Sequence, residues 1–318
     1  MSPEESAESL ADVGEFAVID RLVRGREQPV AVELGPGDDA AVVRSPDGRT
    51  VVSTDMLVEG RHFRLDWSTP HDVGRKAIAA NAADIEAMGA VPTAFVVAFG
   101  APGDTRAADA VALSDGMWAE ARTLRAGVAG GDLVGAPQWV ISVTALGDLE
   151  GRAPVTLGGT RPGDVVAIAG EPGRSSAGYA LLLNDSRGFG EWRRRHLVPE
   201  PPYGQGRAAA LAAATAMTDV SDGLVADLGH IAAASGVTLD LSSDALAPDH
   251  DALLRVSDAL RMDPWVWVLA GGEDHALVAT FPAAPPDGWR VIGRALAGPP
   301  RVLLDGERWR GDTGWRSH

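Results

Sequence analysis

The chain has 318 residues, 45% of them hydrophobic and 23% charged, a globular composition long enough for two domains of roughly 150 residues. It contains no cysteine, which excludes disulfide frameworks, cysteine zinc sites, iron–sulfur clusters and cysteine nucleophiles together. Its 28 basic and 44 acidic residues leave a formal charge of −16, a field that repels nucleic acid and anionic membrane. A phosphate-rich partner would need bridging cations.

Met1 to Asp12 carries three glutamates and one aspartate with no basic start, the reverse of a secretory leader. The longest small-apolar run, Ala208 to Met217, is about half the length of a membrane span. Both point to a cytoplasmic protein. Ala40–Val43 and Thr50–Val52 flank Pro46-Asp47-Gly48 and predict a hairpin. Gly74 to Met88 reads as a helix that Gly89 stops. A short strand at Phe95–Phe99, a helix at Ala108–Leu124 and a strand at Trp139–Leu146 follow. The turn-rich stretch from Gly147 to Gly163 places a domain boundary near residue 150, giving domains 1–150 and 151–318.

The second half opens with a strand at Asp164–Ala169 and a helix at Ser176–Leu183. Arg207–Met217 reads as an alanine-rich helix, and Ser221 as N-cap of a helix over Asp222–Ala234 that ends at Gly236. Strands are expected at Thr238–Leu241, His275–Phe281 and Val291–Ala295. Neither half shows clean βαβ alternation, so the expected class is α+β.

The acidic residues are informative by position. Gly35-Pro36-Gly37-Asp38-Asp39 sits on a glycine turn, and Ser53-Thr54-Asp55 closes a strand. Asn81 and Asp84 share one helix face, and Gly130-Gly131-Asp132 follows an apparent strand. Asp219-Val220-Ser221-Asp222-Gly223 begins a helix, and Gly271-Gly272-Glu273-Asp274 precedes a strand. Hard cations such as Mg²⁺ take oxygen ligands, and a neighbouring glycine lets phosphate and backbone approach closely. Jointly these segments read as a surface for several metal ions and a polyphosphate. Singly, each has a plainer reading: Asp-Gly as a turn, Asp222 as a favourable charge at a helix N-terminus, Asp84 as a solvated side chain.

Other residues divide similarly. The single lysine, Lys76, lies in Gly-Arg-Lys-Ala, so no Walker phosphate loop is present. His62, seven residues beyond Asp55, is either a ligand contact at that site or a surface-loop histidine. His230 and His275 read as packing or surface residues, and Trp265 with Trp267 as a strand-like pair. Trp315 is a tail anchor or a ligand-stacking lid.

Taken in order, the motifs resemble bacterial thiamine-monophosphate kinases of the aminoimidazole-ribonucleotide-synthetase-like ATP-binding superfamily. The matching segments are Gly14-Glu-Phe16, Gly35-x-Gly-Asp-Asp-Ala40, Ser53-Thr-Asp-x-Leu-Val58 with Gly60-x-His62-Phe63, and Asn81-x-x-Asp84-x-x-Ala-Met-Gly89. Gly130-Gly-Asp132, Pro162-Gly-Asp164, Asp219-x-Ser-Asp-Gly-Leu224 with Asp227-Leu-Gly-His-Ile231, and Gly271-Gly-Glu-Asp274 complete them. The resemblance runs collinearly from about residue 14 to the C-terminus.

The resemblance implies transfer of the ATP γ-phosphoryl group onto thiamine monophosphate, giving thiamine diphosphate. It implies a homodimer, with an N-terminal α/β domain binding ATP and Mg²⁺ and pairing between subunits, and a C-terminal α/β domain closing the active site. It assigns Asp39, Ser53, Thr54, Asp55, Asp84, Asp132, Asp219 and Asp222 as Mg²⁺ ligands. Gly131 and Ser221 would contact ATP, while His62, Glu273 and Trp315 would contact the thiamine substrate. No side chain is assigned as a catalytic acid, base or nucleophile, because the transfer is direct and metal-assisted.

One position departs from the pattern. Leu157 stands where many members carry an arginine that meets ATP, leaving Arg152 and Arg161 as the neighbouring cations. Cysteine-dependent sister enzymes of the superfamily do not suit a chain without cysteine. Aminoimidazole ribonucleotide synthetase itself and a non-catalytic nucleotide- or metal-binding paralogue stand as the alternatives.

Overall fold

The computed structural model describes residues 8–36, 40–311 and 314. The chain divides into two compact units, Met1–Ile85 with Pro92–Glu150, and Glu86–Val91 with Gly151–His318.

The first unit contains α1 (Leu10–Val13), α2 (Glu15–Val23), β1 (Val32–Leu34), β2 (Val42–Val43) and β3 (Val51–Val58). Most of α3 (Pro70–Ala87) follows, then β4 (Val91–Ala101), α4 (Ala107–Thr123), β5 (Gly127–Gly135) and β6 (Val140–Asp148). Strands order as β3-β6-β4-β5, with β4 and β5 parallel across α4 and β3 and β6 antiparallel over eight residue pairs. The buried core includes Ile78, Ile85, Phe95, Trp118 and Ile141, the apolar face of α3 and α4 and of the sheet's inner side.

The expected hairpin does not form. Gly48 N–H bonds Ser45 C=O, so the Pro-Asp-Gly turn exists, but Val42–Val43 pairs with Val32–Leu34 and β3 pairs with β6. A turn signal reports that the chain reverses locally; it does not select the partner strand, and the longer β3–β6 ladder offers more pairs.

The second unit contains β7 (Val165–Ala169), α5 (Arg174–Leu183), α6 (Gly190–Leu197), α7 (Gln205–Leu211), β8 (Ala216–Asp219), α8 (Leu224–Ser235) and β9 (Thr238–Leu241). It continues with α9 (Ser243–Ala252), α10 (Leu254–Leu260), α11 (Pro264–Ala270), β10 (Leu277–Phe281), β11 (Arg290–Leu296) and β12 (Arg301–Leu304). Its sheet runs β12-β9-β11-β7-β10-β8, antiparallel except for the β12–β9 pair. Helices α5, α8 and α11 bury Leu181, Leu224, Leu228, Ile231, Val268 and Leu269 in one core with Val166, Ile168 and Val278 from the sheet. The class is α+β.

Three local expectations are overturned here. The alanine-rich helix stops at Leu211: Ala213 adopts φ +59, and Met217 and Thr218 pair with Ala279 and Val278. Helix propensity is weak against pairing and burial beside β10 at the sheet edge. Trp265 and Trp267 lie on α11, opened by Asp263 as N-cap with Pro264 behind it, a start signal that the alternating tryptophans masked. Ser221 is not the N-cap of α8; the helix begins at Leu224 with Gly223 in that place and no capping side chain from it, and Gly236 ends it in a left-handed turn as expected.

The Pro162-Gly-Asp164 motif is architectural. Asp164 accepts from Arg161 N–H (2.9 Å) and Thr215 Oγ1 (2.8 Å), and half-buried Thr215 joins buried Thr280 and Thr160 in a chain of hydroxyls. It ties the entry of β7 to β10 and to the residue before β8. Among the described residues no helix is long and apolar enough to cross a membrane.

Candidate active site

In the first unit, strand alternation turns Ser53 and Asp55 toward α3 and Thr54 away from it. Ser53 Oγ donates to Asp84 Oδ2 at 2.6 Å, and Asp55 N–H donates to Asn81 Oδ1 at 3.0 Å. Asn81 is fully buried and its amide donates to Ala77 C=O. Two side chains one helical turn apart therefore clamp β3 at alternate residues, and the sequence pairing of Asn81 with Asp84 has a direct structural cause. The Thr54 hydroxyl donates to Val143 C=O and accepts from Thr144, so its side chain is engaged with β6 rather than with Ser53, Asp55 and Asp84.

His62 follows β3 in a tight turn. Its Nδ1 accepts Val58 N–H at 3.0 Å, which leaves Nε2 as the protonated nitrogen of a neutral ring, and Lys76 Nζ holds its carbonyl at 2.9 Å. Gly131 and Asp132 lie within β5, not after a strand, opposite Val97 and Ala98 of β4. A Cβ on Gly131 would meet Val97 C=O at 2.0 Å, so only glycine fits there. Asp132 is exposed, one oxygen accepting Leu133 N–H. Asp39 and Trp315 lie outside the described residues.

In the second unit, two motifs far apart in sequence are fastened into one structure. Beyond the register pair Leu277–Asp219, Val220 N–H bonds Ala276 C=O (2.7 Å), His275 N–H bonds Val220 C=O (2.9 Å) and Glu273 N–H bonds Ser221 C=O (2.8 Å). The approach is so close that a Cβ on Gly272 would meet Ser221 C=O at 2.4 Å. Glu273 and His275 take positive φ, 61° and 53°, at about 1–3 kcal/mol each, a strain that the flanking hydrogen bonds hold in place.

Buried carboxylates brace both loops. Asp227 accepts Asp222 N–H (3.1 Å) and Gly223 N–H (3.0 Å), bracing the loop that leads into α8, and burial pushes it up to about 7. Asp274 accepts Gly173 N–H and Ser175 N–H at 2.6 Å each, at the start of α5, and complete burial pushes it also to about 7. Asp222 is raised by burial first; His230 opposes the shift and Asp219 adds to it. Glu273 Oε2 lies 3.4 Å from His196 Nδ1, which also meets Ser175 Oγ at 3.0 Å.

His275 is not a surface or packing residue: its Nδ1 meets Asp219 Oδ2 at 3.0 Å, both side chains buried. The bond was not legible beforehand, because it depends on β8 and β10 being neighbours across 56 residues of sequence. Of the two arginines near Leu157, Arg152 donates to Gly89 C=O at 3.1 Å and Arg161 is exposed. The Leu157–Thr160 loop is held by Ser235 Oγ, which donates to Leu157 C=O and accepts from Gly159 and Thr160.

Among the described residues no three acidic or histidine side chains gather as a metal-binding group. Every donor in the set is an oxygen, and Asp219 raises Asp222 as an unneutralised like charge does. That donor chemistry fits Mg²⁺. Two cavities of the second unit, about 270 and 570 Å³, are lined around Arg174 and Asp240 and include none of Asp219, Ser221, Asp222 or Glu273.

Residues 37–149 match the AIR synthase related protein, N-terminal domain, and residues 161–300 the C-terminal domain of the same family. Fold and site thus define an AIR-synthase-related protein. Over 309 residues the chain is 67% identical to the thiamine-monophosphate kinase of Mycobacterium tuberculosis H37Rv, covering 97% of this chain and 93% of that one. The solved thiamine-monophosphate kinase of Stenotrophomonas maltophilia K279a superposes with TM-score 0.79 at 30% identity, covering 92% of this chain and 95% of that one. AaThiL complexed with AMPPCP and TMP gives 0.78 at 30% identity over 98% and 99% of the two chains. The chain belongs to the thiamine-monophosphate kinase family.

Proposed function

We infer that this chain transfers the γ-phosphoryl group of ATP to thiamine monophosphate, forming thiamine diphosphate and ADP in the cytoplasm. One observation carries the reading: the family match spans both units, and every motif bearing the carboxylates lies within it. AaThiL, similar over 98% of this chain, binds AMPPCP and TMP together, a nucleotide with the acceptor.

The physical obstacle is repulsion. Two phosphate charges about 4 Å apart repel by about 4 kcal/mol at an effective dielectric of about 20. Asp55 and Asp84 with Ser53, Asp132, Asp219 and Asp222 would hold Mg²⁺, with Asp39 and Thr54 assigned to the set by family resemblance alone. When bound, the cation neutralises phosphate charge and orients the oligophosphate for in-line displacement. The acceptor phosphate has a second pKa of about 6 and is mostly dianionic near neutrality, so the chain need supply no general base. Its residues instead bind and orient: Gly131 and Ser221 the nucleotide, His62, Glu273 and Trp315 the thiamine moiety.

The domains divide this work. The N-terminal unit supplies most cation ligands and the subunit interface, and the C-terminal unit completes the active site. A homodimer is supported by Val52, Met56, Val96 and Val134, large apolar side chains exposed on β3, β4 and β5 of one sheet.

The test incubates purified protein with ATP, Mg²⁺ and thiamine monophosphate, resolving products by mass. Equimolar thiamine diphosphate and ADP, formed only with metal, are expected. ATP binding without product would instead favour a non-catalytic paralogue or a sister enzyme with another acceptor.

A further inference from the structure

We propose that His275 is a positioning residue for Asp219, holding one oxygen of that carboxylate so that the other is presented to the cation. The proposal rests on the reading of Asp219 as a magnesium ligand and adds what orients it.

Asp219 is the last residue of β8, and its side chain is 9% exposed. A carboxylate at a strand end can turn about its Cα–Cβ and Cβ–Cγ bonds, and a cation ligand that turns binds weakly. His275 Nδ1 on Asp219 Oδ2 at 3.0 Å removes that freedom and leaves Oδ1 as the oxygen for the metal. An imidazole N–H is suited to this because it donates along one fixed direction.

The backbone is organised to bring the ring there. His275 is zipped to Val220 by its own N–H, and Val220 in turn to Ala276, so the histidine is fastened beside the segment that carries Asp219. It keeps a left-handed φ of 53°, two residues before β10 begins. Apolar packing alone needs neither the ring nitrogen nor that conformation.

The experiment uses the full chain as wild type, His275→Ala, His275→Asn and Asp219→Asn. Each is titrated calorimetrically with MgCl₂ alone and then characterised for Mg²⁺ activation, KM for thiamine monophosphate and melting temperature. Asn tolerates left-handed φ, and its amide can reproduce the Nδ1–H donor. His275→Ala is expected to weaken Mg²⁺ binding about ten-fold or more, with the Mg²⁺ concentration for half-maximal rate rising in step. KM for thiamine monophosphate should stay within about two-fold, since the residue acts on the metal ligand only. His275→Asn should recover most of the affinity.

Wild-type Mg²⁺ binding in folded His275→Ala, with binding lost in Asp219→Asn, would overturn the proposal and leave the ligand assignment standing. Unchanged binding in Asp219→Asn would overturn that assignment itself. Should His275→Ala not fold, His275→Gly, which accepts positive φ freely, carries the same comparison.

Discussion

The two units hold their carboxylates by different physics. In the first, hydrogen bonds between regular elements do the work: Asn81 and Asp84 on α3 grip Ser53 and Asp55 on β3. In the second, the acidic residues sit on loops at the ends of β8 and before β10, braced by buried Asp227 and Asp274 and by residues at positive φ. A helix–strand clamp needs little besides packing to persist. A strained loop persists only while its braces are intact, which makes the second unit the more sensitive to pH and to single substitutions.

The largest expected effect tests whether both constructions serve one reaction. Asp55→Asn and Asp222→Asn should each lower kcat about 100-fold or more, the scale of losing an electrostatic contact made in the transition state. Folding stability should change far less, as read by calorimetry beside a coupled ADP assay. Near-wild-type turnover in either variant would remove that unit's carboxylate from the mechanism.

The next contrast is between braces. Asp274→Ala strands two buried N–H groups at the start of α5 and should destabilise by about 2–4 kcal/mol. Asn81→Ala loses one strand clamp and should destabilise by about 1–2 kcal/mol, both measured by denaturant unfolding. Equal losses would erase the distinction between a strained loop and a helix–strand clamp.

The pH response follows in size. Asp274 has its carboxyl raised from 3.8 to about 7 in the folded state, so the folded protein holds that proton over a range where the unfolded chain has released it. Its contribution to stability is complete below about pH 4 and is lost as pH rises through 7. Between pH 5 and 7.5 the melting temperature of wild type should therefore fall more steeply than that of Asp274→Asn. Parallel curves would contradict the raised carboxyl.

Two smaller effects concern surfaces. Met56→Glu puts a charge on the exposed face of β3 and should shift sedimentation from dimer to monomer at micromolar concentration. Leu157→Arg adds a cation to an exposed loop and should lower KM for ATP by no more than about five-fold, the reach of one exposed ion pair. An unchanged KM would mean that this loop does not meet the nucleotide.

Much of the plan was legible in the residues themselves. Gly89 and Gly236 terminate helices because a left-handed residue ends the helical ladder, and those signals act within one turn of chain. The spacing of Asn81 and Asp84 determined that they share a helix face, and the oxygen-only donor set determined the class of cation. Each follows from bonds between near neighbours, which the sequence carries directly.

Tertiary structure alone decided which strand pairs with β3, why the end of the alanine-rich run Arg207–Met217 enters a strand, and which acid braces the loop before α8. It also decided that His275 meets Asp219 rather than solvent. These depend on ladders joining residues tens of positions apart, where burial and pairing outweigh local propensity. A histidine three residues after a glycine pair looks the same in sequence whether it packs, faces water or orients a carboxylate; the neighbour across the sheet makes the difference.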